Sequence, residues 1–151
     1  MKTFLPSINA EIDRARAIFA LIKNDPAQGR AQCIWNEVLA DVAEARILSM
    51  AKDGWHGHTD PQGRGANWWA RSFGYVLPDW YGDESNNIES LNRGGWGNVD
   101  NAMKSWLGSP AHARHILGQG DFFAAQIHIG VAYLHDEASE SKHYWCVLSA
   151  P

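Results

Sequence analysis

The sequence lacks the features that would assign it at once to several classes of protein. It has only two cysteines in 151 residues, Cys33 and Cys146, and their spacing matches no zinc-binding motif. Disulfide-rich secreted scaffolds use more cysteines, so we expect two buried free thiols here rather than a disulfide. No run of roughly 18 apolar residues is present, and no membrane-spanning helix is predicted.

Positive charge and the common catalytic signatures are also scarce. The net charge is -4, so no basic surface for nucleic acid is expected. Pro6, Glu11 and Asp13 interrupt the place where a signal peptide has its apolar segment, so no signal peptide is predicted. The sequence contains no Gly-x-Ser-x-Gly, no His-Glu-x-x-His and no phosphate-binding loop, and the enzyme classes defined by those motifs lack their signatures.

Tryptophan, by contrast, is abundant, with eight residues. A buried indole needs a partner for its N–H group, so we expect some tryptophans to line a polar cleft while most fill the core. The aromatic residues predicted to form the wall of such a cleft are Trp68, Trp69, Trp80, Tyr81 and Trp96.

Hydrophobic periodicity predicts helices first and a β-sheet last. The predicted helices cover residues 7–23, 34–52, 67–73, 98–107 and 110–117. The predicted strands cover residues 86–91, 127–133 and 144–148, with a polar hairpin loop over 136–142. The last strand is apolar on both faces, which predicts a central position in the sheet. This order indicates an α+β fold, and the length favours a single domain over residues 1–151.

Histidines cluster in two places. His112 and His115 follow Ser109, the expected N-cap of the helix over 110–117, and their spacing puts them on one helix face. His56 and His58 lie in a predicted loop. One interpretation is that the two groups converge on a site. The alternative is that the loop histidines are simply exposed and that His115 packs against the core.

Six motifs occur in an order that is typical of one known family. They are Trp35-Asn36-Glu37-Val38-Leu39-Ala40, His58-Thr59-Asp60, Asn86-Asn87-Ile88, the segment from Trp106 to Leu117 with Ser109-Pro110-Ala111-His112, Ile129-Gly130-Val131-Ala132, and Tyr144-Trp145. This set resembles the CAP superfamily (cysteine-rich secretory proteins, antigen 5 and pathogenesis-related 1), whose domain is also called SCP, in its bacterial and phage-like branch. The resemblance extends over nearly the whole chain.

The resemblance implies an α–β–α sandwich with a central, mainly antiparallel sheet flanked by helices, in a family that is usually extracellular. It also implies a cleft with two histidines and two glutamates, which in several members binds a divalent metal such as zinc. His58 and His112 match the two histidines. Asn86 and Ser109 stand where glutamates are usual, and His115 replaces a usual asparagine.

Glu89, three residues after Asn86, is the carboxylate that we expect to replace a missing one. The alternative is a solvent-facing position at a strand end. If it lies within hydrogen-bond reach, Glu89 is a candidate general base beside His112.

Two functions are compatible with these residues. The first is a binding module for a small ligand, lipid, glycan or peptide, and it is favoured by the missing carboxylates. The second is a hydrolase of peptide or cell-wall material that uses zinc held by His58 and His112, with Glu89 or His115 as a third ligand. Glu89 is its third catalytic residue. Further residues predicted to line the cleft are Asn86, His115, Trp69 and Trp96.

Overall fold

The computed structural model describes the backbone of residues 6–151 and the side chains of residues 10–151. The helices are α1 (Pro6–Asn24), α2 (Glu37–Asp53), α3 (Ala66–Ser72), α4 (Val99–Leu107), α5 (Pro110–Ile116) and α6 (Gly120–Ala124), with a short 3-10 turn over Gly95–Gly97. The strands are β1 (Ile34–Trp35), β2 (Glu89–Arg93), β3 (His128–His135) and β4 (His143–Ala150).

The four strands form one mixed sheet in the order β1-β3-β4-β2. β1 pairs with β3 in parallel, and the other two pairings are antiparallel. The predicted α+β fold with a mainly antiparallel sheet is confirmed, and so is the central position of β4. The hairpin loop between β3 and β4 covers residues 136–142, as predicted. β2 is an edge strand, so one of its sides has no strand partner in this sheet.

Each face of the sheet has its own hydrophobic core, because successive side chains of a strand point to opposite faces. On β4, Cys146 and Leu148 pack against α2 and α3, whereas Trp145 and Val147 pack against α1, α4 and α5. The molecule is therefore a sandwich of helices around a sheet. Both cysteines are buried free thiols, as expected.

α2 lies unusually close to the sheet at Gly130 on β3. A Cβ atom at this position would collide with the backbone of Leu39 and Ala40 on α2. The glycine is needed for this close approach, which fixes α2 and the side chains that it directs toward the edge of the sheet.

Several predicted boundaries were wrong. The helix predicted over 34–52 begins only at Glu37, with Asn36 as N-cap. The preceding residues pair with β3, where Ile34 N–H donates to the Ile127 carbonyl at 2.8 Å. The strand predicted over 86–91 begins later, at Glu89. Ser109 precedes α5 but makes no capping hydrogen bond through its side chain.

Within residues 6–151, none of the helices combines the length and apolar character that crossing a membrane requires.

Candidate functional site

The site is built around a fully buried ion pair between α2 and β2. Arg46 Nε lies 2.7 Å from Glu89 Oε2, and Arg46 Nη2 lies 2.7 Å from Glu89 Oε1. Both side chains have no exposed surface. This bidentate geometry combines two charge-assisted hydrogen bonds, which is the arrangement that offsets the cost of burying two charges. Glu89 is thus held rigidly at the start of the edge strand.

The Glu89 carboxylate in turn orients His58. His58 Nδ1 lies 2.9 Å from Glu89 Oε1, and Arg46 Nη2 donates to the backbone carbonyls of Gly57 and His58 in the same loop. Burial raises the pKa of Glu89, but the hydrogen bond from His58 and the charge of Arg46 outweigh it, so the net pKa is lowered.

An ionised carboxylate can only accept hydrogen bonds, so the proton of neutral His58 lies on Nδ1. Its Nε2 then carries a lone pair and is not used by Glu89. Because the side chain of His58 is 37% exposed, this nitrogen belongs to a partly accessible imidazole. The buried pair therefore presents a fixed hydrogen-bond acceptor.

Trp69 and Asp60 hold the loop that carries His58. The Trp69 indole N–H donates to Asp60 Oδ2 at 2.9 Å, and its ring lies 5.6 Å from the Arg46 Cζ atom. Burial raises the pKa of Asp60, but hydrogen bonds from Arg64 and Trp69 lower it below its usual value. Trp69, predicted to line the cleft, thus lies behind His58 and supports its loop.

His112 is the second partly accessible imidazole. It lies on α5, and its Nδ1 is 2.9 Å from Ser109 Oγ, which explains why this serine does not cap the helix. Burial and the nearby charge of His58 both lower the pKa of His112. α5 packs against β2, the strand whose Glu89 holds His58.

His115 belongs to a different, closed network. Its Nδ1 lies 2.6 Å from Ser90 Oγ, and its Nε2 lies 2.7 Å from Ser149 Oγ. Ser149 donates its hydroxyl to Gln126 at 2.7 Å, so it accepts from His115 Nε2. Burial, followed by the charge of Arg30, lowers the pKa of His115 to about 3. With both ring nitrogens used, this side chain has none left for a ligand.

Other predicted site residues lie apart from this centre. Asn86 is exposed and precedes β2. Trp96 is 89% exposed and lies after Arg93, the last residue of β2. Trp80 stacks edge-on with Tyr81 at 4.6 Å and with Phe122 at 5.8 Å. The predicted wall is therefore several separate aromatic surfaces.

The residues of the site do not fit the zinc centre that the family suggests. Glu89 uses both of its oxygens for Arg46, and one also for His58, so neither is free as a metal ligand. In the described part of the chain, no group of three His, Cys, Asp or Glu side chains is placed to hold a metal ion. A site with an open position on zinc needs about three protein ligands. The metal-binding prediction is therefore not supported.

Helices on both faces of a mixed sheet, with two partly accessible histidines at its edge, define a CAP-type domain. The model of the cysteine-rich secretory protein family (CAP) matches residues 10–148, and the chain belongs to this family. Curated protein sequences gave no significant match.

Solved structures share the fold at low sequence identity. An outer surface protein from Borrelia burgdorferi aligns with a TM-score of 0.67 at 16% identity, covering 99% of this chain and 98% of that chain. An extracellular protein containing a SCP domain from Bacillus anthracis aligns with a TM-score of 0.72 at 16% identity, covering 100% of this chain but 45% of that chain. Venom allergen-like protein 4 from Schistosoma mansoni aligns with a TM-score of 0.51 at 15% identity, covering 98% and 90%.

Proposed function

We propose that this CAP domain is a binding module whose cleft receives a small ligand with hydrogen-bond donors, such as a peptide, between His58 and His112. The observation that carries this proposal is the buried Arg46–Glu89 pair, which fixes the tautomer of His58 and leaves Nε2 as an acceptor. A preorganised acceptor lowers the entropic cost of binding.

The second histidine supports the same function. Burial lowers the pKa of His112, which favours its neutral form, and Nδ1 is bonded to Ser109 Oγ, so Nε2 is the ring nitrogen open to a ligand. A neutral imidazole forms hydrogen bonds without requiring a charged ligand. A peptide backbone, which alternates donors and acceptors, is well matched to this pair.

The zinc-assisted hydrolase has less support. Its expected general base, Glu89, is fully buried against Arg46. Its expected third ligand was Glu89 or His115, and both ring nitrogens of His115 are already bonded to serine hydroxyls. A general base must reach the proton that it removes, and within residues 10–151 the Glu89 carboxylate is bonded to His58, Arg46 and Cys146. We expect titration of the protein with zinc chloride to give no stoichiometric binding by calorimetry.

The binding proposal is tested by nitrogen-15 NMR of the histidine side chains. The probes are N-acetylated tetra-alanine amide, muramyl dipeptide and phosphatidylglycerol vesicles. At least one probe is expected to shift the His58 Nε2 signal, and His58→Ala is expected to abolish its binding. The matched control is His135→Ala, which changes an exposed histidine at the C-terminal end of β3.

Absence of any shift at His58 and His112 with all three probes would overturn the proposal. Equal loss of binding in His58→Ala and His135→Ala would also overturn it, since the effect would then not depend on the cleft. Stoichiometric zinc that is lost in a His58→Ala/His112→Ala double variant would instead favour the hydrolase.

A further inference from the structure

A second concave surface lies at the other end of β2 from Glu89. It is a cavity of about 190 Å³ between the end of β2 and the first two turns of α4. The buried Trp145 contributes apolar surface to its wall. The polar residues that line it are Asn92, Arg93, Asn98, Asn101 and Ser105. None of the lining residues is acidic, which sets this cavity apart from a cation site.

Most of these polar groups are available to a ligand. Across residues 10–151, the side chains of Asn92, Asn101 and Ser105 make no hydrogen bond to another side chain or to the backbone, and Arg93 forms no ion pair. An amide side chain both donates and accepts hydrogen bonds, as does a sugar hydroxyl. A wall of amides beside one guanidinium is therefore complementary to a polyhydroxylated, uncharged ring.

The loop beside the cavity holds an aromatic ring in solvent. Trp96 is 89% exposed and has a φ of 60°, a left-handed conformation that is costly for a residue with a Cβ atom. It lies between Gly95, which lines the cavity, and Gly97. Burying an indole elsewhere would be favourable, so exposure combined with backbone strain points to a role outside the folded core.

The loop is anchored, so this exposure is not a result of a loose chain. Gly94 N–H donates to the His143 carbonyl at 2.8 Å. A Cβ atom at Gly97 would collide with the Tyr133 hydroxyl, and it would lie 2.9 Å from His143 Nδ1. Contacts on both sides of Trp96 thus hold its backbone in the loop whose Gly94 and Gly95 line the cavity.

We propose that this cavity binds a neutral saccharide, with one sugar ring among the amide side chains and the adjoining ring stacked on Trp96. The cavity is smaller than the roughly 300–1,000 Å³ of sites for drug-sized ligands, so it suits one ring. Among the described residues, Arg93 is the one charged residue that lines the cavity, which is too little positive charge for a nucleic acid backbone. The polar wall does not suit a lipid tail. This site does not depend on His58 or on the peptide-binding proposal.

The test is a titration with three trisaccharides: chitotriose, cellotriose and maltotriose. Intrinsic tryptophan fluorescence and the side-chain amide signals of Asn92 and Asn101 report binding. Trp96→Gly removes the ring and also relieves the positive φ. This variant is expected to lower the affinity for the sugar that binds by about three- to tenfold, which is the range of one aromatic stacking contact. Its Tm is expected to be unchanged or higher.

Controls separate this site from the others. Trp80→Ala removes a tryptophan that is 70% exposed on a different surface, and it is expected to leave sugar binding unchanged. His58→Ala is also expected to bind sugar with unchanged affinity. The result of the His58 experiment is therefore independent of the result for the saccharide site. Asn101 is exposed, so Asn101→Ala is expected to weaken sugar binding without lowering the free energy of unfolding.

Two results would overturn the proposal. The first is that none of the three sugars shifts the amide signals of Asn92 and Asn101 at millimolar concentration. The second is that Trp96→Gly and Trp80→Ala weaken binding equally.

Discussion

Glu89 and Ser90 are neighbours on one strand, yet they serve two buried networks with opposite properties. Glu89 joins Arg46 to His58, and this network ends in a partly exposed imidazole. Ser90 joins His115, which also bonds Ser149, and this network is closed. The alternation of a β-strand places the two side chains on opposite faces of the sheet. A histidine in a buried network is a functional candidate only when one ring nitrogen stays free.

The two networks also predict opposite tautomers. The ionised Glu89 accepts a hydrogen bond, so neutral His58 carries its proton on Nδ1. Ser149 donates its own hydroxyl to Gln126, so His115 carries its proton on Nε2. The open network therefore leaves His58 Nε2 as an acceptor on a partly exposed imidazole, whereas the closed network uses its histidine to cross-link α5 with β2 and β4.

The largest expected effect is that of breaking the open network at its buried end. Arg46→Met removes the partner of a fully buried carboxylate and is expected to lower the free energy of unfolding by about 3–5 kcal/mol. Chemical denaturation measures this change. The double variant Arg46→Met/Glu89→Leu, which leaves no charge behind, is expected to recover most of the loss. A loss below about 1 kcal/mol for Arg46→Met would show that the pair does not organise this side of the sheet.

The closed network is expected to make stability depend on pH. His115 has a pKa of about 3 in the folded state against 6.5 for a free histidine, so the unfolded chain binds more protons between these values. The free energy of unfolding therefore falls as the pH falls below about 6.5, by roughly 1.4 kcal/mol per pH unit from this group.

This dependence is measured by denaturation at pH 6.5 and pH 5, where the two values are expected to differ by about 2 kcal/mol through His115. In His115→Gln the difference is expected to shrink by that amount, whatever the stability of the variant itself. His128→Gln, a half-buried histidine elsewhere, is the control. Equal pH dependence in the native protein and His115→Gln would contradict a buried, neutral His115.

A smaller effect is expected at the open end of the first network. His58→Ala removes one hydrogen bond to Glu89 but leaves the carboxylate paired with Arg46, so the loss of stability is expected to be about 1 kcal/mol. Thermal denaturation measures it. A loss as large as that of Arg46→Met would mean that His58 holds the fold and is not primarily a ligand contact.

The smallest stability effect is expected at Trp96, which belongs to neither network. Trp96→Gly is expected to leave the free energy of unfolding unchanged or to raise it by up to about 1 kcal/mol, because glycine adopts a positive φ without steric cost. Denaturation under the conditions used for Arg46→Met gives a direct comparison. A loss of more than about 1 kcal/mol would assign Trp96 a structural role.

Much of the fold follows from local patterns in the sequence. The apolar residues on both faces of β4 predict its central position, and the polar residues 136–142 mark the hairpin loop. β3 is also buried on both faces of the sheet. α4 (Val99–Leu107) matches the helix predicted over 98–107 to within one residue, and the side chain of Asn98 caps it. β1 was missed because its two residues are held by hydrogen bonds to β3, a distant segment that local periodicity does not reveal.

The candidate site was only partly visible. His58 and Glu89 were singled out, but Arg46, which holds Glu89, was not. A signal for it existed, since Arg46 occupies a position in the apolar stripe of α2, where an arginine requires a buried partner. The closed state of His115 could not be predicted, because its partners Ser90 and Ser149 come from two strands far apart in sequence.

The tautomers of the two histidines test the central comparison most directly. Long-range nitrogen–proton correlation spectra at pH 8 distinguish a protonated Nδ1 from a protonated Nε2. We expect His58 to be protonated on Nδ1 and His115 on Nε2. A His58 protonated on Nε2, or exchanging between both forms as a free imidazole does, would contradict the claim that the Arg46–Glu89 pair presents a fixed acceptor to the cleft.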